Sequence, residues 1–290
     1  MRWVDNPGRL QGAGLNRALN ASRGTVVVRL DGHSFVAPDY VERCVELLRS
    51  TGADVVGGRM VPRPGASPTA RAIELAMSRR WGAGPARFHH AGAPGFVETV
   101  YLGTFRREML DTVGGWSQDV GVNEDFDLNY RIRRAGGRIW YDPSLEVEYQ
   151  PRETFRALGR QYFRYGRSKG SMLRRRPGSL LPRQAVPAAL APVGAAAVAG
   201  GPVRWPARVL VAAYFVALAA VVGRERQDPA TRARAGVAGG IMHWTWSTGF
   251  WIGLVSPFPP PGPTSVEDPA SDPVDPQEQA PTQRTATHGE

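Results

Sequence analysis

The segment from Gly24 to Val41, GTVVVRLDGHSFVAPDYV, constrains the fold more than any other. Its apolar residues Val26, Val27, Val28 and Leu30 run together instead of alternating, and only Arg29 interrupts them. A strand of that kind is apolar on both faces and has to be covered from both sides, as in sheets flanked by helices. The neighbouring segments agree. Gly12 to Ala21 reads as a short helix, Pro38 and Asp39 open a second with Val41, Val45 and Leu48 on one face, and ADVVGGRMV is the next strand. Strand, helix and strand in that order predict an α/β domain.

Past Gly65 comes a helix carrying Ile73, Leu75 and Met77, then a Gly/Pro/His-containing loop from Gly82 to Gly95. FVETVYLGTFRREML resembles a strand feeding a helix. NEDFDLNYRIRRAGGRIWYDP predicts a helix from about Glu124 to Ala135, ended by Gly136 and Gly137, and a short strand at Arg138 to Tyr141. The single cysteine, Cys44, excludes an internal disulfide and a two-cysteine metal site. Any metal has to be held by oxygen and imidazole.

A formal charge of +10 on 290 residues raises the question of nucleic acid. Of the 36 Lys and Arg only Lys169 is a lysine, leaving 35 arginines, which is the signature of a GC-rich coding sequence. No nucleic-acid motif accompanies the charge, so nucleic acid is not expected as a partner. The charge is unevenly placed: ten basic residues and one acid lie between Arg152 and Arg183, whereas Pro257 to Glu290 holds six acids and Arg284.

The opening MRWVDNPGRLQGAGLNRALN has no apolar central run, so no cleavable leader is expected and synthesis begins on the cytosolic side. Past Arg183 three stretches lack charge: Ala185 to Gly201, Val209 to Gly223 and Ala235 to Phe258. The first two fall short of the roughly 20 residues a spanning helix wants; the third is long enough and carries Trp244, Trp246 and Trp251. Two or three membrane helices are expected, with a buried helical hairpin as the alternative. The organisation is then a catalytic α/β domain over 1–150, a basic amphipathic interface region over 151–183, membrane helices over 184–258 and a disordered acidic, Pro-rich tail over 259–290.

Three features carry chemistry. Asp31 and His33 fall at the carboxyl end of a strand, where open α/β sheets bind ligands, with Gly32 between them. They are either an oxygen and an imidazole for Mn²⁺ or Mg²⁺, or an aspartate that caps a turn beside an unrelated histidine. Glu124, Asp125 and Asp127 crowd a helix start; one acid suffices for capping, and like charges in proximity raise a carboxyl pKa toward that of a useful base. Arg156, Arg160, Arg164 and Arg167 form one basic stripe, suited to anionic headgroups or to pyrophosphate, with Gln161 and Arg164 placed to face a site.

In this order and spacing the features resemble the inverting family 2 glycosyltransferases of the GT-A fold, particularly the membrane-attached succinoglycan and exopolysaccharide type. The resemblance covers roughly Asn6 to Arg183. It is carried by NPGRLQGAGLNRAL, VVVRLDGHSFVAPDYV, VETVYLGTFRREML with VGGW, and NEDFDLNYRIRRAGGRIWYDP with RQYFRYG. It implies a Rossmann-like mixed sheet, incomplete at its amino-terminal end because a first nucleotide-binding unit is missing, followed by membrane-associated helices. It implies that Asp31 and His33 bind a divalent cation and the donor diphosphate, and that Glu124 and Asp125 activate the acceptor, with Asp125 the general base. Gln161 to Tyr165 would correspond to a Gln-x-x-Arg-Trp element in which Tyr165 replaces the tryptophan. The implied partners are a nucleotide-sugar donor, a lipid-linked or glycan acceptor and the cell membrane, with the catalytic domain on its cytoplasmic side. An inactive, scaffold-like relative of such enzymes is the alternative expectation.

Overall fold

The structure is a computed structural model that describes residues 3–7 and 9–256. The expected acidic tail over 259–290 lies outside the described residues. Six strands form one mixed sheet: β1 (Val26–Val28), β2 (Ser34–Val36), β3 (Val55–Pro62), β4 (Gly95–Phe96), β5 (Tyr101–Arg106) and β6 (Ile139–Tyr149). Their order is β1-β5-β3-β6-β2, with β4 also on β6. The β3–β6 pair is parallel and the other pairs are antiparallel. β1 and β3 are thus joined by a helix, as the alternation predicts, but β5 is inserted between them.

Helices cover both faces. On one side α1 (Gln11–Ala21), α5 (Arg107–Val113) and α6 (Glu124–Arg134) surround a core of Leu19, Val55, Phe105, Leu110, Leu128 and Ile132. On the other, α2 (Tyr40–Thr51) contributes Tyr40, Cys44 and Leu48 against Val56, Leu102, Leu145 and Val147. Burying each large side chain of this kind is worth about 1.5–3 kcal/mol. Three expectations are corrected here. Val41 is 48% exposed, because α2 starts at Tyr40 and its buried face follows the four-residue step Tyr40, Cys44, Leu48. β1 is only half-buried, not covered on both faces. β6 extends to Tyr149 instead of stopping at Tyr141: five residues of β6 span what two residues of β3 span, and the resulting bulge carries the strand on. Gly58 lies at that bulge, where a side chain would overlap the Leu145 carbonyl.

The third layer is helical. α3 (Pro68–Met77) is capped by Ser67 Oγ, which accepts from Ala70 N at 3.0 Å, and is followed by the single turn α4 (Arg80–Ala83). α7 (Phe155–Arg175) is the expected basic helix, capped by Thr154 Oγ1. The three uncharged stretches become α8 (Ala185–Val198), α9 (Arg204–Gly223) and α10 (Pro229–Val255). α8 is short and holds Pro192. Among the described residues one helix, α9, is long and apolar enough to cross a membrane; its mean hydropathy is 1.9 and 17% of its apolar window is buried. α10, although longer, packs along α7. Gly166 and Gly170 of α7 lie against the backbone at Trp246 and Phe250, and Gly249 and Gly253 of α10 lie against the backbone at Phe163 and Arg167. Ala238 and Met242 add contacts to Ile73 and Met77 of α3, and the Trp246 ring stacks on Phe250 at 5.4 Å. Small residues on both helices make this backbone-to-backbone approach possible.

Candidate active site

Arg29, the residue that breaks the apolar run after β1, is the centre of the site. Its side chain is 3% exposed, and its three nitrogens each take a different carboxylate. Nε donates to Asp31 Oδ1 at 3.1 Å, Nη2 donates to Glu124 Oε1 at 3.1 Å, and Nη1 donates to Asp125 Oδ1. Residues 31 and 124–125, nearly a hundred positions apart, therefore share one guanidinium. Burial alone would lower the Arg29 pKa, but Asp125, Glu124 and Asp31 together raise it, so the cation is permanent.

The two helix-start acids differ in access. Glu124 has 5% of its side chain exposed and Asp125 28%. Burial, then the neighbouring Asp125, pushes Glu124 up to about 7, with Arg29 opposing. Burial raises Asp125 as well, and Arg29 again opposes. The indole of Trp116 also adjoins Asp125 and favours its ionised form. Glu124 Oε2 is buried with no hydrogen-bond partner. With its amide turned to satisfy both neighbours, Gln11 donates to Glu124 Oε1 at 3.3 Å and accepts from Arg29 Nη2 at 2.6 Å. Asp127, the third acid of the cluster, does not join them. It is fully buried in the other direction, paired with Arg131 at 2.7 Å and Arg176 at 2.9 Å. The crowded helix start therefore divides: two helix positions on from Asp125, the Asp127 side chain points away.

Gln161 and Tyr165 come to the same basin from α7. Gln161 Nε2 donates to the Tyr165 hydroxyl at 2.9 Å, and Asn123, just ahead of α6, donates to the Tyr165 carbonyl at 3.0 Å. Tyr165 is raised by burial, with Glu124 adding to the shift and Gln161 and Arg164 opposing it, which puts these groups within electrostatic reach of one another. Arg164 is half-buried. Tyr101 of β5 is raised by burial and by Asp31 and Asp125, so it too faces the carboxylates.

His33 lies exposed in the turn before β2. Among the described residues no group of three or more His, Cys, Asp or Glu is arranged to hold a metal ion. Asp31 and His33 are the residues that could offer oxygen and imidazole donors to a divalent cation. Glu124 Oε2 is unpartnered, and Asp31 keeps 21% of its side chain exposed two residues before the exposed His33. Such a donor set leaves the remaining positions to phosphate oxygens and water.

Sequence reasoning missed Arg29, Gln11, Tyr101 and Trp116. Arg29 had a readable signal, since a buried arginine in an apolar strand needs anionic partners. The others had none beyond lying in the motifs quoted above.

Residues 4–168 match the family described as "Glycosyltransferase like family 2", a range that holds every residue of the basin. Over 265 residues the chain is 35% identical to "Succinoglycan biosynthesis protein ExoA" of Rhizobium meliloti (strain 1021), which covers 87% of this chain and 77% of that protein. It is 20% identical over 175 residues to a Methanococcus voltae protein, covering 59% of this chain and 54% of that one. That protein is named dolichyl N-acetyl-alpha-D-glucosaminyl phosphate 3-beta-D-2,3-diacetamido-2,3-dideoxy-beta-D-glucuronosyltransferase. Among solved structures, "Crystal structure of S. aureus TarS 1-349" aligns over 84% of this chain and 71% of that one, with a TM-score of 0.38 and 12% identity.

Proposed function

The chain belongs to the glycosyltransferase-like family 2, and on that premise we propose that it moves a sugar, with inversion, from a nucleotide-sugar donor to a lipid-linked or glycan acceptor in exopolysaccharide or envelope biosynthesis. The observation that carries this reading is the convergence of Asp31, Glu124 and Asp125 on the Arg29 guanidinium. It puts the strand end suited to a donor diphosphate within one small substrate's length of a carboxylate suited to an acceptor hydroxyl.

In this reading Asp125 is the general base. It is the more accessible of the two helix-start acids, and its raised pKa brings it nearer the operating range of a base. As the acceptor oxygen bonds to the anomeric carbon, the bond from that carbon to the diphosphate oxygen breaks on the opposite face, and the hydroxyl proton passes to the Asp125 carboxylate. Glu124, buried and held by Arg29, tunes Asp125 from behind. A divalent cation, held by Asp31 and His33, would supply charge compensation for the departing diphosphate. Gln161, Arg164 and Tyr165 supply donors and a ring face on the α7 side, where a guanidinium suits phosphate oxygens. The apolar α9, with Trp205, Val209, Leu210 and Val216 exposed, anchors the protein in the cell membrane with its catalytic domain on the cytoplasmic side.

The test is sugar transfer by the full chain in membranes, from a panel of radiolabelled nucleoside diphosphate sugars to endogenous acceptor. Asp125→Asn is expected to lower transfer by about 10²–10⁴ while leaving donor binding in place. Unchanged transfer removes Asp125 from the role of base.

A further inference from the structure

The helices α8 and α9 leave an apolar layer with no protein over it. From Val209 to Gly223 the sequence of α9 has no charged residue. Its buried positions Ala207, Leu218 and Val222, with the half-buried Val211 and Tyr214, make one stripe at steps of three and four, and most of the remaining surface is open. Val209 is 65% exposed, and Leu210, Phe215 and Val216 are exposed with it. Trp205 lies at the start of α9, with the Arg204 and Arg208 guanidiniums 5.8 and 5.3 Å from its ring. A tryptophan among arginines at the edge of an uncharged surface has the chemistry of a headgroup boundary: the cations reach acidic phosphates and the apolar stems and ring stay with the acyl chains.

The direction of these helices decides how a bilayer meets them. One side of α10 rests on the catalytic domain, with Ala235 against Ala72 and Leu75, Ala238 and Met242 against Ile73 and Met77, and Gly249 and Gly253 against the backbone of α7. The other side carries the outer helices. Ser247 and Trp251 both donate to the Ala188 carbonyl of α8, at 3.0 and 2.8 Å; Pro192, lacking an N–H, leaves that acceptor without its helical donor. Ser247 Oγ also accepts from the Ala191 N–H at 2.9 Å. Tyr214 of α9 donates to His243 Nδ1 at 2.9 Å, and His243 Nε2 donates to the Gly82 carbonyl at 3.0 Å. Just past α9, Glu225 accepts from Arg79 Nε at 3.0 Å and from Trp81 Nε1 at 2.9 Å. Both outer helices thus run along the domain surface and do not project from it. Standing α9 upright in a bilayer would carry α10 and α7 in beside it, with the exposed Arg156 and Arg160 in hydrocarbon.

We infer that α8 and α9 lie flat in one leaflet of the membrane, the leaflet facing the catalytic domain, and that no described residue reaches the opposite leaflet. The inference rests on the reading of the apolar end as the membrane anchor, and adds its depth and direction. With 20 residues, about 30 Å, α9 has the length to span, but α10 sets its orientation.

Val209, Val216 and Ala220 fall on one face of α9 and stretch along about 16 Å of its axis. In the experiment Val209→Cys, Val216→Cys and Ala220→Cys are made singly in the full chain, whose own Cys44 is buried, then spin-labelled and reconstituted into vesicles of phosphatidylethanolamine with phosphatidylglycerol. Collision rates with oxygen and with a water-soluble nickel chelate give the depth of each label. The expected depths agree to within about 5 Å and lie about 5–10 Å into the headgroup and acyl boundary. Ala199→Cys, in the exposed link between α8 and α9, is expected to escape an impermeant maleimide added outside intact spheroplasts. Depths that change stepwise along α9, or labelling of Ala199→Cys from outside, overturn the inference and leave the anchor reading standing. Labels as open to nickel as in water, with the protein left in solution when the vesicles are pelleted, defeat the anchor reading itself. Labels shielded without vesicles, in a protein that sediments as a dimer, assign the surface to a second copy and overturn the inference as well.

Discussion

Arg29 and Glu124, 95 residues apart, meet at 3.1 Å with 3% and 5% of their side chains exposed. Taking both charges out of water costs several kcal/mol per ion, and the pair persists because the same guanidinium also holds Asp31 and Asp125. The site is therefore an anionic cluster built around one buried cation.

Removing that cation leaves three carboxylates facing one another. Arg29→Met is expected to destabilise the protein by about 3–5 kcal/mol, the usual consequence of breaking a buried pair from one side. Adding Glu124→Gln should recover part of the loss, and thermal unfolding of the single and double variants measures both.

The Glu124–Asp125 pair also sets a pH dependence. Glu124 is pushed up to about 7 and Asp125 is raised, so the pair sheds its last proton in that region and transfer should rise as pH increases through it. Glu124→Gln removes the like-charged neighbour, so the acid limb of kcat/KM should move to lower pH. An acid limb that stays in place would show that another group sets it.

Lys169 gives a second dependence, of opposite chemistry. Its ammonium is buried over the Phe126 ring at 3.6 Å and donates to the Ser179 carbonyl at 2.7 Å. Burial first, then Arg133, pushes its pKa down to about 7 from 10.5, against the pull of Asp127. Between these values the unfolded chain keeps a proton that the folded protein has released, so stability rises with pH across this window and is flat below about 7. Lys169→Met should remove that rise, read as the difference between the two melting profiles from about pH 7 to 8.5.

Gly58 tests the sheet. A methyl at this position would run into the Leu145 carbonyl across the β3–β6 bulge, in the middle of the parallel pair. Gly58→Ala is expected to cost more than about 4 kcal/mol or to prevent folding, judged by soluble yield and melting temperature. Gly52→Ala, which meets no neighbour and bears only the strain of a left-handed φ of 64°, should cost about 1–2 kcal/mol.

Much of the fold is legible because its signals are local. The apolar run at Val26 to Val28, the Gly136–Gly137 stop after α6 and the four-residue arginine steps on α7 each act within a few turns of chain. The insertion of β5 between β1 and β3, and the extension of β6 past Tyr141, depend on partners far along the chain and leave no local mark. The site divides the same way. Asp31, Glu124 and Asp125 stand out as acids in telling places, while Asp127 looks identical to them until the helix turns it inward. Arg29 and Trp116 gain their meaning only from what the fold sets beside them.

The glycines at 166, 170, 249 and 253 leave no cushion of side chains where the carboxy-terminal halves of α7 and α10 meet. Two backbones in direct contact have little room to slide, so a tilt imposed on α10 is delivered to Tyr165, and through its carbonyl to Asn123, as movement. The candidate basin and α10 thus share one orientation, and whatever fixes the angle of α10 also aims the carboxylates.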